Sequence, residues 1–438
     1  MERVLFEYYL DPTTWVYLSS LMTIGIYFKF RRFWSVRNLD LLGLITFAPG
    51  LLLIARSDER LQRLGYIWLT VVGVAYLIRL LIDPLMVRRP LLEPNLSVDG
   101  LMFTGVALLV FLVANVVMTQ LLESDREGAR RMDMILAGKM TFDELQNTKQ
   151  IEPGYPLFHV FATFSNTTLA PDTAAEAVPL PRRELVRAVA TRGSVILGHL
   201  AIVIGIVLIG YRHFDNLHTG MAVAALYLLL PYTSQMTSRV DHVVPAALLV
   251  WAVEAYRRPV MAGLFLGLAG GLIGYPLFLL PLWCSFYAQR GLVRFLLGVV
   301  AALALLVATL ARVSPDSASF FYHLGTMFGV NAWRIETTAG LWKFHEAVYR
   351  IPVVVAFVAG CLAFVLWPPQ KNLGTLLSCS AAVMLAVTFW YDPTSGVYHM
   401  AWFLPLLLLT IFRPNLEDRV ASVAVTEVRW FRRAAPGA

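Results

Sequence analysis

"RRPVMAGLFLGLAGGLIGYPLFLLPLWCSFYAQR", residues 257–290, is the stretch on which the topology of this chain turns. Arginines stand at both ends and nearly everything between them is apolar or small. Read as one helix, it is broken at Gly274-Tyr275-Pro276, because a proline inside a helix removes a donor and clashes with the preceding turn. Read as two spans, 259–274 and 276–289, it is a tight helical hairpin whose ends return to the same side. The hairpin reading makes the charges consistent. The short loops at Arg31/Arg32/Arg37, Arg88/Arg89, Arg257/Arg258 and Arg290/Arg294, and the tail arginines Arg429, Arg432 and Arg433, then share one side. Cytoplasmic loops collect Lys and Arg, so that side is read as the cytoplasm, with the N-terminus outside and the C-terminus inside. One loop departs from this pattern: "RSDERLQR", residues 56–63, falls on the outer side despite its three arginines.

The bulk composition agrees with spans. Of 438 residues 58% are hydrophobic and only 15% charged, and the mean hydropathy is +0.64. Apolar runs long enough to cross a hydrocarbon core recur along the chain. The alternation expected of barrel strands is absent, so the class is all-α, a polytopic helical membrane protein. The opening "MERVLFEYYLDPTTW" carries no basic region and no small-residue cleavage site, so the first span is expected to target the chain. The net charge of +7 fits cytoplasmic loops rather than nucleic-acid binding. Cys284, Cys361 and Cys379 sit inside apolar runs without metal-ligand spacing and read as small core residues.

About 13 transmembrane helices are expected, near 13–30, 39–55, 64–86, 100–122, 194–212, 220–236, 241–256, 259–274, 276–289, 292–313, 349–367, 373–391 and 398–413. Residues 1–99 form an added set of N-terminal helices, 100–413 a transmembrane core, and 414–438 a basic cytoplasmic tail. Two extracytoplasmic loops, 123–193 and 314–348, are too long to be connectors, and loops of that length usually carry function. The first opens "LESDREGARRMD", a mixed-charge knot directly after an apolar helix, in which Glu127 and Arg131 form a favourable four-apart pair. Its "EPGYPLFH" forces an extended or turned backbone. The second, "NAWRIETTAGLWKFHEAVYR", concentrates cations and aromatic rings.

Four stretches carry a family likeness: "SDREGARRMDMILAGKM" with the following "PGYPLFHVF"; residues 192–235; "DHVVPAALLVWAVEAYRRPVMAGLFLGLAGGLIGYPLFLLPLW" from Asp241; and "YHMAWFLPLLLL" near the end. Together they resemble the GT-C superfamily of polyprenyl-phosphate-sugar-dependent, mannosyltransferase-like membrane glycosyltransferases over roughly residues 100–413. The resemblance implies a GT-C-like core in the cytoplasmic membrane. It implies an inverting hexosyltransferase that moves a sugar from a polyprenyl-phosphate donor to an acceptor hydroxyl on a glycan, lipid or protein at the extracytoplasmic face. Three features depart from the family's pattern. Three spans precede the one aligned with the family's first, Leu272-Ile273-Gly274 stands where many relatives carry a lysine, and the acidic cluster is diluted by arginine.

Such a transfer needs a base near the headgroup plane and cations for the departing phosphate. By the resemblance, Asp125 is the catalytic base and Glu127 its reserve. The alternative is that both acids pair with Arg126, Arg130 and Arg131 at a span end. Arg334, Lys343, His345 and His399 are the candidate phosphate ligands, or else interfacial cations that snorkel to headgroups. Asp241 and His242 open a span at the outer face, where the family often has an acid that helps hold the acceptor or a metal; an N-cap is the simpler role for Asp241. His159 lines the same cavity or is a satisfied interfacial histidine. No histidine–carboxylate pair has metal spacing in the sequence, so no metal and no cofactor are expected. Arg79 and Asp83, four apart within a span, neutralise each other or belong to an ion path. That pair and the break at Gly274–Pro276 support the rival reading, a transporter or flippase of a lipid-linked glycan or solute. A non-catalytic scaffold with the same fold is the third.

Overall fold

The structure, a computed structural model, describes residues 11–86, 93–118, 180–235, 239–314, 316–328, 340–391 and 399–425. Among these the chain is helical throughout, with a single isolated bridge between Asn372 and Val420 and no strand. The helices are α1 (Pro12–Tyr27), α2 (Val36–Ile54), α3 (Glu59–Ile82), α4 (Val98–Met118), α5 (Leu180–Arg212), α6 (Leu217–Leu229), α7 (Val240–Glu254), α8 (Pro259–Ile273), α9 (Leu280–Tyr287), α10 (Leu292–Val313), α11 (Ser317–Met327), α12 (Arg350–Ala363), α13 (Leu373–Trp390) and α14 (Leu404–Phe412).

Six of them are long and apolar enough to cross a membrane by length and composition: α2, α3 with its short 3₁₀ extension, α4, α5 from Thr191, α10 and α13. Shorter apolar helices, among them α6, α8 and α12, lie between them. Prolines account for part of the shortening, since Pro231, Pro276 and Pro405 stand where a helix must restart. Large apolar side chains face outward along α4 (Phe103, Val106, Val110) and α10 (Val293, Leu297, Val300). A helix with an apolar outer surface needs an apolar solvent, and this is a membrane protein.

The stretch 257–290 is a hairpin. Gly274 takes φ +71° after α8, a backbone region that L side chains avoid. A 3₁₀ segment, Tyr275–Leu279, then leads into α9. A Cβ on Gly270 would lie 2.5 Å from the Leu277 side chain, so the chain folds back closely on itself. At the far end the Tyr287 hydroxyl donates to the Tyr256 carbonyl at 2.6 Å, and Gly291 abuts Pro259. The lengths match: α8 rises about 22 Å, and the 3₁₀ and α segments that return rise about 22 Å together.

α8 pairs most closely with α10. Gly263, Gly267 and Gly271 recur every four residues on α8 and meet Phe295, Val299, Ala302 and Leu306 of α10; Gly298 reciprocates against Val260. Small residues at this spacing let helix backbones approach where no hydrophobic force drives helices together. The N-terminal helices are not a separate body. α3 packs on α13, Phe47 of α2 meets Phe403, and the Tyr27 hydroxyl donates to the Ala222 carbonyl of α6 at 2.8 Å.

Polar contacts sort the helix ends into two groups. One group joins Lys29 to Asn95, Arg212 to Glu254, Asp215 to Arg419, Arg290 to the Ser422 carbonyl, and Asp83 to Arg413. The other joins Asn115 to Ser234, Glu59 to Lys343, and Asp241 to Trp402. Apart from α11, whose Met327 meets Gly271 at the second end, consecutive helices therefore alternate in direction. Arg31, Arg32, Arg257, Arg258, Arg290 and Arg294 gather at the first end, and the exceptional 56–63 loop at the second. In that loop Asp58 caps α3 by accepting from the Arg60 amide at 2.8 Å.

A buried charge network ties the first end together. Arg79 grips both oxygens of Asp40 at 3.0 and 2.9 Å and reaches Asp83 Oδ1 at 2.9 Å. Asp83 Oδ2 in turn takes Arg413 Nη2 at 2.6 Å. Two acids and two arginines from α2, α3 and the end of α14 compensate one another in charge, so the expected Arg79–Asp83 neutralisation is present and is half of a larger set.

Candidate functional site

The second end holds a different cluster, built from the start of α7 and the segment before α14. Pro245 lies inside α7. It has no amide hydrogen, so the carbonyl four residues back, that of Asp241, loses its helical donor. The Trp402 indole supplies the missing bond, donating to the Asp241 carbonyl at 3.1 Å. That bond pins the start of α7 to the stretch that carries His399.

The side chains converge from there. Arg239, the N-cap residue of α7, holds both oxygens of Asp241, Nε to Oδ1 at 3.1 Å and Nη2 to Oδ2 at 2.7 Å. A two-point guanidinium–carboxylate grip of this kind fixes orientation as well as charge. His242 Nε2 lies 3.8 Å and His399 Nε2 3.7 Å from Asp241 Oδ2. The two imidazoles stack with centroids 4.2 Å apart. The Tyr232 hydroxyl bonds His242 Nδ1, while His242 Nε2 is buried without a hydrogen-bond partner. Tyr391 and Trp402 flank the His399 ring at 5.2 and 4.4 Å, and Tyr275, from the turn of the α8–α9 hairpin, stacks on Trp402 at 5.5 Å. Asp241, His242 and His399 are all buried.

One ligand atom from each of Asp241, His242 and His399 lies within 4.8 Å of the others. A tetrahedral ion with bonds of 2.0–2.1 Å needs donors ~3.3 Å apart. The cluster is open by a few tenths of an ångström at the two distances above. Aspartate and imidazole are suitable ligands for a small divalent cation, and these three residues would hold it.

Of the residues singled out in the sequence, Asp241, His242 and His399 come together. The N-cap alternative for Asp241 does not hold: Arg239 occupies that position, and Asp241 sits in the first turn with its carboxylate on the guanidinium. Lys343 turns onto Glu59 of α3 at 2.7 Å. His345, exposed, bonds the Leu341 carbonyl of its own turn at 3.1 Å. Asp125, Arg126, Glu127, Arg130, His159 and Arg334 lie outside the described residues. Tyr232, Tyr275, Tyr391 and Trp402 were not singled out by the sequence. The one local signal for them was Pro245, which demands an outside donor for a named carbonyl. No family model, curated protein or solved structure matches this chain.

Proposed function

We propose that this protein is an integral membrane glycosyltransferase. It moves a sugar from a polyprenyl-phosphate donor to an acceptor hydroxyl, with the arginine-rich end of the bundle in the cytoplasm and the Asp241–His242–His399 cluster at the outer end. The observation that carries the reading is that cluster: an acid, two histidines and an arginine buried beside aromatic rings at one end of an apolar bundle. Polar groups at this depth are costly and are retained for function.

The acceptor oxygen attacks the anomeric carbon as the bond to the lipid phosphate breaks. The acceptor proton passes to a carboxylate, the lipid phosphate departs, and the anomer inverts. Asp125 is the base in this reading. α4 ends at Met118, and its Asn115 donates to the Ser234 carbonyl at 3.0 Å, seven residues before Asp241. The chain therefore leaves α4 at the end where the cluster sits. The two imidazoles lie beside Asp241, whose oxygens Arg239 holds. A divalent cation bound by Asp241, His242 and His399 would supply charge to the leaving phosphate.

Two observations favour the enzyme reading over the transporter reading. Arg79 and Asp83 are saturated by Asp40 and Arg413, and the break at Gly274 is a hairpin turn. The test is release of labelled sugar from a panel of polyprenyl-phosphate sugars by the purified protein. Turnover that is lost in Asp125→Asn supports the reading. Silence of the unaltered protein over the whole panel contradicts it.

A further inference from the structure

The arginine-rich end carries a cavity of about 800 Å³, lined by Tyr211, Arg212, His213, Asp215, Leu217, Glu254, Ala255, Arg257 and Arg258. The volume is that of a small-molecule site. It lies at the opposite end of the helices from the Asp241 cluster, so the transfer reaction does not use it.

Its charges do not cancel internally. Glu254 is taken by Arg212 at 2.6 Å, and Asp215 by Arg419 at 2.7 Å. Among the described residues Arg257 meets its neighbour Tyr256, Nε to the hydroxyl at 3.3 Å. Among the described residues neither Arg257 nor the exposed Arg258 has a carboxylate partner. Two guanidiniums are thus left over at the wall of a cavity, and guanidinium matches phosphate oxygens in pairs.

His213 also lines the cavity. Its Nε2 lies 2.7 Å from the Glu254 carbonyl. A carbonyl only accepts, so Nε2 carries the hydrogen. Burial moves the His213 pKa down, which keeps the ring neutral at neutral pH, and Nδ1 presents a lone pair. That atom is buried and has no hydrogen-bond partner. A buried acceptor without a donor is costly. Two exposed residues at the rim are apolar, Tyr211 at 61% and Leu217 at 45%, beside the exposed Arg212, Asp215 and Arg258.

We propose that this cavity binds a phosphate ester, supplied as the headgroup of an anionic phospholipid. Arg257 and Arg258 take the phosphate oxygens. The acyl chains lie over Tyr211 and Leu217.

The test is native mass spectrometry of the full-length protein in detergent, titrated with dioleoyl-phosphatidylglycerol or dioleoyl-phosphatidylcholine. One phosphatidylglycerol should bind in preference to phosphatidylcholine. With ~1 kcal/mol for each arginine at an anionic lipid surface, Arg258→Gln should weaken that binding about 5-fold and Arg257→Gln/Arg258→Gln about 30-fold. Arg258 is exposed, so its single variant is expected to fold. Arg31→Gln/Arg32→Gln, at the same end but outside the cavity, should leave the binding unchanged. A soluble competitor, sn-glycerol 3-phosphate, separates the sources. Failure to displace the lipid supports the headgroup. Displacement at millimolar concentration, lost in the double variant, keeps the phosphate-ester site and assigns it a soluble ligand. Equal binding of the two lipids, unchanged binding in both cavity variants, or an equal loss in the Arg31/Arg32 variant overturns the proposal.

Discussion

Two buried charged clusters stand at opposite ends of this bundle, and they are built on different principles. In the Asp40–Arg79–Asp83–Arg413 set, two acids meet two arginines from three parts of the chain, and each acid is held by guanidinium. In the Arg239–Asp241–His242–His399 set, one carboxylate is fixed by one arginine. Two imidazoles then point at the same oxygen, with His242 Nε2 left without a hydrogen bond. The first balances its charges, two against two, and ties α2 and α3 to the end of α14. The second converges on a point and leaves coordination capacity there. Burial is similar in both, and each leaves a buried nitrogen without a hydrogen bond, Arg413 Nε in the first and His242 Nε2 in the second; what separates them is the balance of two acids against two arginines in the first and the convergence of three ligand atoms in the second.

The strongest way to break the comparison is to open the balanced set. Asp83→Ala leaves Arg413 and part of Arg79 buried without a carboxylate, which should cost about 3–5 kcal/mol. It should appear as a large loss of monodisperse protein and a lower midpoint of thermal unfolding in detergent. Removing both members, Asp83→Leu with Arg413→Met, should recover most of that loss, because an apolar pair of similar size replaces an ion pair at little cost. If the double variant is as damaged as the single one, the set does more than neutralise itself.

A smaller effect sharpens the other cluster. Trp402→Phe removes the donor to the Asp241 carbonyl and should cost about 1–3 kcal/mol, the range for a buried acceptor left unsatisfied. Pro245→Ala restores an amide to that carbonyl from within α7, so it should rescue Trp402→Phe in a double-mutant cycle of unfolding midpoints. Additive losses would show that the Trp402 bond is not a replacement for the one Pro245 removes. The smallest effect belongs to Lys343, whose side chain is 46% exposed and whose partner Glu59 is 68% exposed. Lys343→Gln should shift stability by no more than about 1 kcal/mol, and less at high salt.

The legible parts of this fold were local ones. Gly274 beside Pro276 announced the turn of the hairpin, because one residue accepts a positive φ and the other cannot continue a helix. Arg79 and Asp83 were legible as a pair, being one helical turn apart. Asp40 and Arg413 were not, since they come from other helices, 39 residues before and 330 after their partners. The candidate site divides in the same way. Asp241, His242 and His399 could each be singled out as a polar residue at a span end. Their convergence depends on α7 and the segment before α14 being pinned together by Trp402 across 161 residues, and periodicity carries no information about that. The expectation of thirteen spans rested on runs of apolar residues. Among the described residues six helices have the length, and prolines divide several of the remaining runs into shorter pieces.

The most direct test of the account measures activity and stability together, in the same preparations of Asp241→Asn and Asp83→Ala. Sugar release from the polyprenyl-phosphate donor is read beside the midpoint of thermal unfolding. The account predicts that the folded fraction of Asp241→Asn loses specific turnover by about 10²-fold or more, beyond the drop in midpoint that comes from leaving the buried Arg239 without its carboxylate. Asp83→Ala should lose its midpoint while the folded fraction keeps its specific activity. Full turnover in Asp241→Asn, or loss of turnover confined to Asp83→Ala, would contradict the assignment of the two clusters.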